Sequence, residues 1–521
     1  MLEPSELESQ LLALEVVADL GFAELTSATG IAEETFIGQR DQTDLLISLE
    51  YSYETVPTFT AFTLEQEESS IINQELRLVS KNEGPFNWII GGFYNEREGE
   101  GLSEEFVPGF GGPDFRQGLE FYSFGANKLV ERAVFGEVEY DFTPNWTVGF
   151  GARLYDYDLD TADSPDLDPE QVEVFFPLFE DCGATSSNPG CGLSFSDAQD
   201  TFELGDNQDF SGELFKVNTS YRFGNGNSVY ATFSQGFRVG LSNGLADCDD
   251  IFDPDDPQAQ CGLVPGQQFG PNEGDIAQIN EQEATPDEVD NYEIGVKTTW
   301  LDGDLRLNLA AFYIDWTDIQ LVSSSINAGL PITVNGGTAR SRGVEFDGSW
   351  QINDRLNLRG NYSYTDAELT QDVPDLVRAI VPGGGFDDDL QAGLDGQRLP
   401  GSPEHQFSVF LDYTKPLSTG ADFNFNTGYS WQGNVLSRVG GLGDSLELPD
   451  YGRLNTQIGY EEDAWQIYAF VDNVFNTLSE SSVVATEQFN QTISGAAVRS
   501  FRTNILPPRT IGARLRYKFG Q

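Results

Sequence analysis

The 521-residue chain has one histidine, one methionine, four cysteines, and only 28 lysines and arginines against 85 aspartates and glutamates. Each scarcity excludes something. A single imidazole, His405, leaves zinc and haem without a histidine set and gives a Ser-His catalytic pair no orienting partner. We therefore expect no catalytic residue, no resident metal and no cofactor. The formal net charge of -57 removes the cations that nucleic-acid phosphates require, so nucleic acid is not a partner. Mean hydropathy is -0.34 and no run of 18 apolar residues occurs, which leaves no helix able to span a membrane. The opening residues, Met1-Leu2-Glu3-Pro4-Ser5-Glu6, show neither the basic nor the apolar region of an export signal.

What is abundant is glycine, aromatic residues and two-residue alternation. From Tyr292 the apolar residues Tyr292, Ile294, Val296 and Trp300 share one parity with Thr298, while Asn291, Glu293, Lys297 and Thr299 occupy the other. Asp302-Gly303 offers the two positive-φ positions of a type I′ turn, and Leu305, Leu307, Leu309, Ala311 and Tyr313 then continue the apolar face. With Leu301 opposite Asp304, the predicted cross-strand pairs are Trp300/Leu305, Thr298/Leu307, Val296/Leu309, Ile294/Ala311 and Tyr292/Tyr313. Aromatics at both ends of that face stand about 20 Å apart along the normal of a tilted strand, close to the height of an outer-membrane apolar belt. Tyr292, Ile294, Val296, Trp300, Leu305, Leu307, Leu309 and Tyr313 are read as lipid-facing. At the end of the chain Leu515, Tyr517 and Phe519 follow the same rule.

The hairpin recurs around Thr143-Pro144-Asn145, Gly224 to Asn227, Asn353-Asp354-Arg355 and the stretch from Tyr460 to Trp465. Turns of a few residues alternate with connections of dozens, about Asp158 to Gln208, Leu241 to Ala284, Leu369 to Arg398 and Thr477 to Thr503. Charged and amide side chains alternate with apolar ones in nearly every strand. A water-filled lumen tolerates that pattern and a protein core does not. The expected fold is all-β, a transmembrane antiparallel barrel with 17 or 18 visible strands and long extracellular loops. Leu12 to Leu20 with Phe22 to Ala28, Gln74 to Lys81 and Trp88 to Arg97 are its early strands. Closure of such a barrel would require the first strand to find Pro507 to Phe519.

Cys182 and Cys191 lie in one loop and Cys248 and Cys261 in another, and we expect two local disulfides. Carboxylates cluster from Asp156 to Glu170, from Asp247 to Asp256 and at Asp387-Asp388-Asp389. They read as solvated or lipopolysaccharide-facing surface, with no EF-hand spacing. The loop aromatics Phe175, Phe176, Phe179, Phe195, Phe252 and Phe269 read as packing within the loops.

Several strings resemble the C-terminal barrel of TonB-dependent outer-membrane receptors. They are QELRL from Gln74, YATFSQGFRVG from Tyr230, TPDEVDNYEIGVKTTWLDGDLRLNLAAFYIDW from Thr285, SRGVEFDGSW from Ser341, LPGSPEHQFSVFLDY from Leu399, FVDNVFN from Phe470 and PPRTIGARLRYKF from Pro507. The resemblance covers residues 1–521 as one barrel domain. It implies a barrel of about 22 strands, placed in the bacterial outer membrane and contacting lipid and lipopolysaccharide. It also implies active uptake of a scarce small-molecule ligand, most often a ferric siderophore, energised by TonB through an N-terminal plug. Nothing in these residues resembles that plug, so the expectation is an N-terminally incomplete barrel. Uptake of a vitamin or carbohydrate, and a passive porin-like channel, are the alternatives; an outer-membrane enzyme is the third reading.

Overall fold

A computed structural model of the chain describes residues 3–43, 60–82, 84–108, 119–163, 206–224, 226–243, 283–324, 331–373, 393–441, 446–493 and 496–519. The first strands are β1 (Ser5–Asp19), β2 (Ala23–Asp41), β3 (Phe62–Ser80), β4 (Phe86–Phe106), β5 (Leu119–Thr143), β6 (Trp146–Asp163), β7 (Asp206–Phe223) and β8 (Asn227–Arg238). A short pair, β9 (Leu241–Ser242) and β10 (Glu283–Ala284), leads to β11 (Asp287–Trp300) and β12 (Leu305–Thr317). The hairpin β13 (Gln320–Ser324) and β14 (Pro331–Asn335) precedes β15 (Thr338–Asn353), β16 (Leu356–Leu369), β17 (His405–Pro416) and β18 (Asp422–Gln432). Then come β19 (Val435–Leu436), β20 (Glu447–Leu448), β21 (Tyr451–Glu462) and β22 (Trp465–Asp472). A further hairpin, β23 (Glu480–Ile493) and β24 (Ala496–Ile505), stands before β25 (Thr510–Tyr517).

Seventeen of these strands form one antiparallel sheet that meanders in chain order, and the other eight make four separate two-stranded pairs. The strand count agrees with the sequence. Antiparallel neighbours alternate in direction, so β1 and β25, first and last of an odd number, run the same way. Among the described residues no ladder joins them. An antiparallel closure of the first strand on Pro507 to Phe519 is therefore not what this topology makes.

In the β11–β12 hairpin the pairs are Tyr292 with Tyr313, Ile294 with Ala311, Val296 with Leu309, Thr298 with Leu307 and Trp300 with Leu305, as predicted. Asp302 and Gly303 have φ of 57° and 107°, and the Asp304 N–H donates to the Leu301 carbonyl at 3.1 Å. Leu301 also takes a positive φ, 54°, which no turn rule anticipates for a branched apolar residue.

Three expectations change. The connection from Thr477 to Thr503 is largely the β23–β24 hairpin. β3 and β4 begin or extend well beyond the predicted spans, because their far halves, such as Glu65 to Ser70 and Glu96 to Glu105, are polar on both faces and show no alternation. Asp156, Asp158 and Asp160 belong to strand β6 rather than to a loop. Cys182, Cys191, Cys248 and Cys261, the carboxylates from Asp247 to Asp256 and Asp387 to Asp389, and the loop aromatics fall outside the described residues.

Most of the sheet has no core of its own. Among the described residues a buried cluster lies past its long-connection end, where Ile319, Leu321, Ile332, Val334, Ala339, Leu369, Val373, Leu399 and Val439 pack together with Trp316 against them. The β13–β14 hairpin and the segments after β16 and β18 supply it. That apolar cap fixes one stretch of the mouth.

Candidate functional site

One face of the sheet is an apolar band exposed to its surroundings. Ile294 is 58% exposed, Leu309 50%, Leu515 63% and Phe519 87%, levels that water would penalise and lipid would not. Tyr292, Trp300, Tyr313 and Tyr517 are exposed too, whereas Val296, Leu305 and Leu307 are half-buried by their neighbours on the same face. Aromatics border the short-turn side of the band: Phe142 stacks on Trp146 at 4.9 Å, Trp465 lies 4.5 Å from Tyr517, and Tyr517 meets Phe519 edge-on at 4.6 Å. Towards the long connections the same face turns ionic. Arg132 pairs with Asp156 at 3.1 Å and Asp158 at 2.7 Å, and Arg342 with Asp366 at 2.8 Å. These pairs are exposed and contribute little to stability, but they mark where the apolar band stops.

The opposite face is polar and cross-linked. Lys216 reaches Glu137 at 3.2 Å, and Asn218 donates to the same carboxylate at 3.1 Å. Arg359 donates to Asp412 at 2.8 Å, Asn426 donates to Asp412 at 2.7 Å and Gln457 donates to Asn426 at 3.1 Å, a chain across four strands. Asn308 donates to both Asp347 oxygens at 3.1 Å. On this face a concavity of about 680 Å³ is bordered by Tyr230, Glu293, Lys297, Asn308, Glu345 and Asp347. Three carboxylates, one ammonium, an amide and a phenol suit a hydrated polar solute, and nothing there is arranged for covalent chemistry. Among the described residues no cluster of metal-ligating side chains is present.

Aromatic rings on this polar face sit opposite glycines. The directly paired couples are Phe135 with Gly91, Tyr155 with Gly212, Tyr230 with Gly295, Phe312 with Gly343, Phe410 with Gly428, Tyr468 with Gly459 and Phe470 with Gly512. Each ring occupies the space of the missing side chain; a Cβ on Gly295 would stand 2.6 Å from the Tyr230 ring. Three of the rings also carry a cation, Lys297 at 5.2 Å over Tyr230, Arg359 at 5.6 Å over Phe410 and Arg514 at 5.9 Å over Phe470. Glycine opposite an aromatic is visible in the sequence only once the register is known, which is why the pattern escapes a strand-by-strand reading.

Where the two faces meet the mouth, Asp287 is 1% exposed and holds β8, β11 and β13 together. It accepts from the Arg238 Nε at 2.8 Å and from the Gln320 N–H at 3.1 Å, while Arg238 lies 4.8 Å over the Trp316 ring. Sequence reasoning gave neither residue a role. His405 is engaged by the Tyr362 hydroxyl at 2.9 Å and lies 5.0 Å from the Tyr364 ring, a setting for a structural strand-end residue.

Comparison with known proteins gives this geometry a context. The chain matches the family described as TonB dependent receptor-like, beta-barrel, over residues 27–474. It is 33% identical over 169 residues to the metal-pseudopaline receptor CntO of Pseudomonas aeruginosa, covering 32% of this chain and 20% of that protein. It is 24% identical over 259 residues to the ferrichrome outer membrane transporter/phage receptor of Escherichia coli, covering 49% of this chain and 26% of that one. The crystal structure of the ferric yersiniabactin uptake receptor FyuA from Yersinia pestis superposes with a TM-score of 0.63 at 15% identity, over 99% of this chain and 62% of FyuA. The chain thus spans roughly three-fifths of the solved receptor and smaller shares of the aligned relatives.

Proposed function

The chain belongs to the TonB-dependent receptor family, as an outer-membrane β-barrel, and from that premise we propose that it serves energised uptake of a scarce small-molecule ligand, a ferric siderophore or a related metal chelate. The observation that carries the reading is the family match over residues 27–474. Relatives named for metal-pseudopaline and ferrichrome support the ligand class. The two faces fit the role: an apolar, aromatic-bordered band for lipid, and a polar wall, cross-braced by ion pairs, for a hydrated lumen. Lipopolysaccharide would meet the ionic rim that Arg132 and Arg342 define, and TonB would supply the energy. We read the protein as a receptor and not an enzyme, because the named relatives are receptors and transporters and because His405 is committed to Tyr362 and Tyr364.

The test is uptake of radio-labelled iron by cells carrying or lacking the intact gene, offered as ferrichrome, a ferric catecholate and ferric citrate. Uptake of at least one chelate should depend on the gene and stop when the inner-membrane proton gradient is collapsed. Gene-dependent entry that survives the collapse would establish a passive channel instead.

A further inference from the structure

The wall of the sheet is not evenly laced. Sixteen residue pairs join β6 to β7, from Trp146 with Tyr221 up to Thr161 with Asp206, and eleven join β8 to β11, up to Arg238 with Asp287. Between them, β7 and β8 share only eight, and the ladder stops at Lys216 with Ser234 although both strands continue. The ten residues from Asp206 to Phe215 therefore belong to β6 alone, and Gln235 to Arg238 belong to β11 alone. The last rung, at Ser234, is one residue beyond Phe233, which pairs with Tyr292 at the edge of the apolar band, and the separation begins at Gln235. It lies where lipid hydrocarbon ends, the one level at which a membrane wall can do without its backbone ladder.

Side chains fill the opening. Tyr155 and Tyr157 of β6 reach across to Phe237 of β8, with ring centroids 4.0 Å and 5.9 Å apart and planes within 5° and 9° of parallel. Tyr155 passes over Gly212, where a Cβ would stand 2.5 Å from its hydroxyl oxygen, so only glycine at that point of β7 lets the ring through. Phe210, Leu214 and Val239 pack against the same rings. Hydrogen bonds cross at the two ends and each uses a side chain: the Phe215 N–H donates to Gln235 Oε1 at 3.1 Å, the Gly240 N–H to the Tyr157 hydroxyl at 3.2 Å, and Gln208 Nε2 to Glu283 at 2.8 Å.

We propose that this is a seam at which the wall parts. The upper half of β7, laddered to β6 and through it to β5 as far as Gly125 with Asp163, moves away from β8 about the Lys216–Ser234 rung, with the Tyr155, Tyr157 and Phe237 stack as its latch. Backbone ladders share their hydrogen bonds cooperatively along two strands, whereas a latch of three rings is released in one step. Opening therefore leaves the sixteen pairs of β6 with β7 and the eleven of β8 with β11 intact. The inference concerns the wall itself and stands whatever ligand the receptor takes.

Amide hydrogen exchange on the full-length protein in lipid nanodiscs decides it. The two backbone N–H groups held across the seam by side chains, Phe215 on Gln235 and Gly240 on the Tyr157 hydroxyl, should exchange at least about tenfold faster than the ladder amides of residues 217–223 and 228–234, because parting releases them while the β6–β7 and β8–β11 ladders hold. Phe237→Ala should raise exchange at Phe215 and Gly240 by a further factor while leaving 217–223 and 339–346 unchanged. Equal protection of those two groups and of the ladder amides in the unmodified protein would overturn the seam. So would a Phe237→Ala protein whose exchange rises uniformly along β7 and β8, since that is the behaviour of ordinary packing.

Discussion

Two stretches of the mouth are built on opposite principles. Above β12 to β16 the ladder continues to the strand ends, with Thr317 paired to Thr338 and Ala339 to Leu369, and a dry apolar cluster seals it. Above β6 to β8 the ladder is interrupted and aromatic rings stand in for backbone hydrogen bonds. Ladder and cluster reinforce each other in the first stretch, so damage to the cluster spreads into the wall. In the second the filling is separable from the strands it bridges, so damage stays local.

The largest effect should come from the capped stretch. Leu369 has no exposed surface, and Leu369→Ala should cost about 3 kcal/mol through lost burial and the cavity left behind, measured by urea unfolding of the barrel in lipid. A loss confined to local exchange at the mouth, without a shift in the global midpoint, would break the contrast drawn above.

Beneath both stretches lies a control. Val296→Arg should cost about 2 to 4 kcal/mol if its parity faces lipid near the midplane, while Lys297→Gln, one residue along, should be close to neutral. Similar costs at the two positions would remove the assignment of faces on which the comparison rests.

The Asp287 node joins the two stretches. Asp287→Ala should cost about 2 kcal/mol, below the roughly 3 to 5 kcal/mol of a fully buried pair that loses one partner, because the Arg238 side chain is 47% exposed and water can take its charge. Its exchange signature should spread to both β8 and the β13–β14 hairpin. Smallest is Tyr157→Phe, which removes the acceptor of the Gly240 N–H and should cost about 1 kcal/mol, seen as faster exchange near residue 240 and nowhere in the capped stretch.

Sequence legibility followed the membrane. Between Tyr292 and Tyr313 every cross-strand pair could be written down beforehand, because an apolar face and a polar face alternate strictly there and Asp302-Gly303 fixes the turn. Beyond the apolar band both faces meet water or protein, alternation loses its cause, and β3, β4 and β23 to β24 were underread or missed. The interruption between β7 and β8 was invisible for a different reason. Alternation reports which face a residue takes and says nothing about which neighbour its backbone holds. FVDNVFN from Phe470, a family-like string, gains a physical reading: Asn473 is buried, takes a φ of 51°, and uses its amide to hold the Thr477 N–H and carbonyl at 2.9 Å each.

The rings seated on glycines bear on how the strands find their partners. A one-residue slip of a hairpin turns apolar side chains to the wrong side and is rejected by the membrane itself. A two-residue slip keeps every face correct, so hydrophobic patterning is blind to it. Sliding β8 against β11 by two would set Tyr230 opposite Glu293 or Lys297 in place of Gly295, and sliding β12 against β15 would set Phe312 opposite Ser341 or Glu345 in place of Gly343. In each slipped pairing the ring meets a side chain where it now meets a vacancy. Seven such couples among the described residues, spread from β4 to β25, act as keys that accept one register per ladder and refuse the errors that polarity alone would let pass.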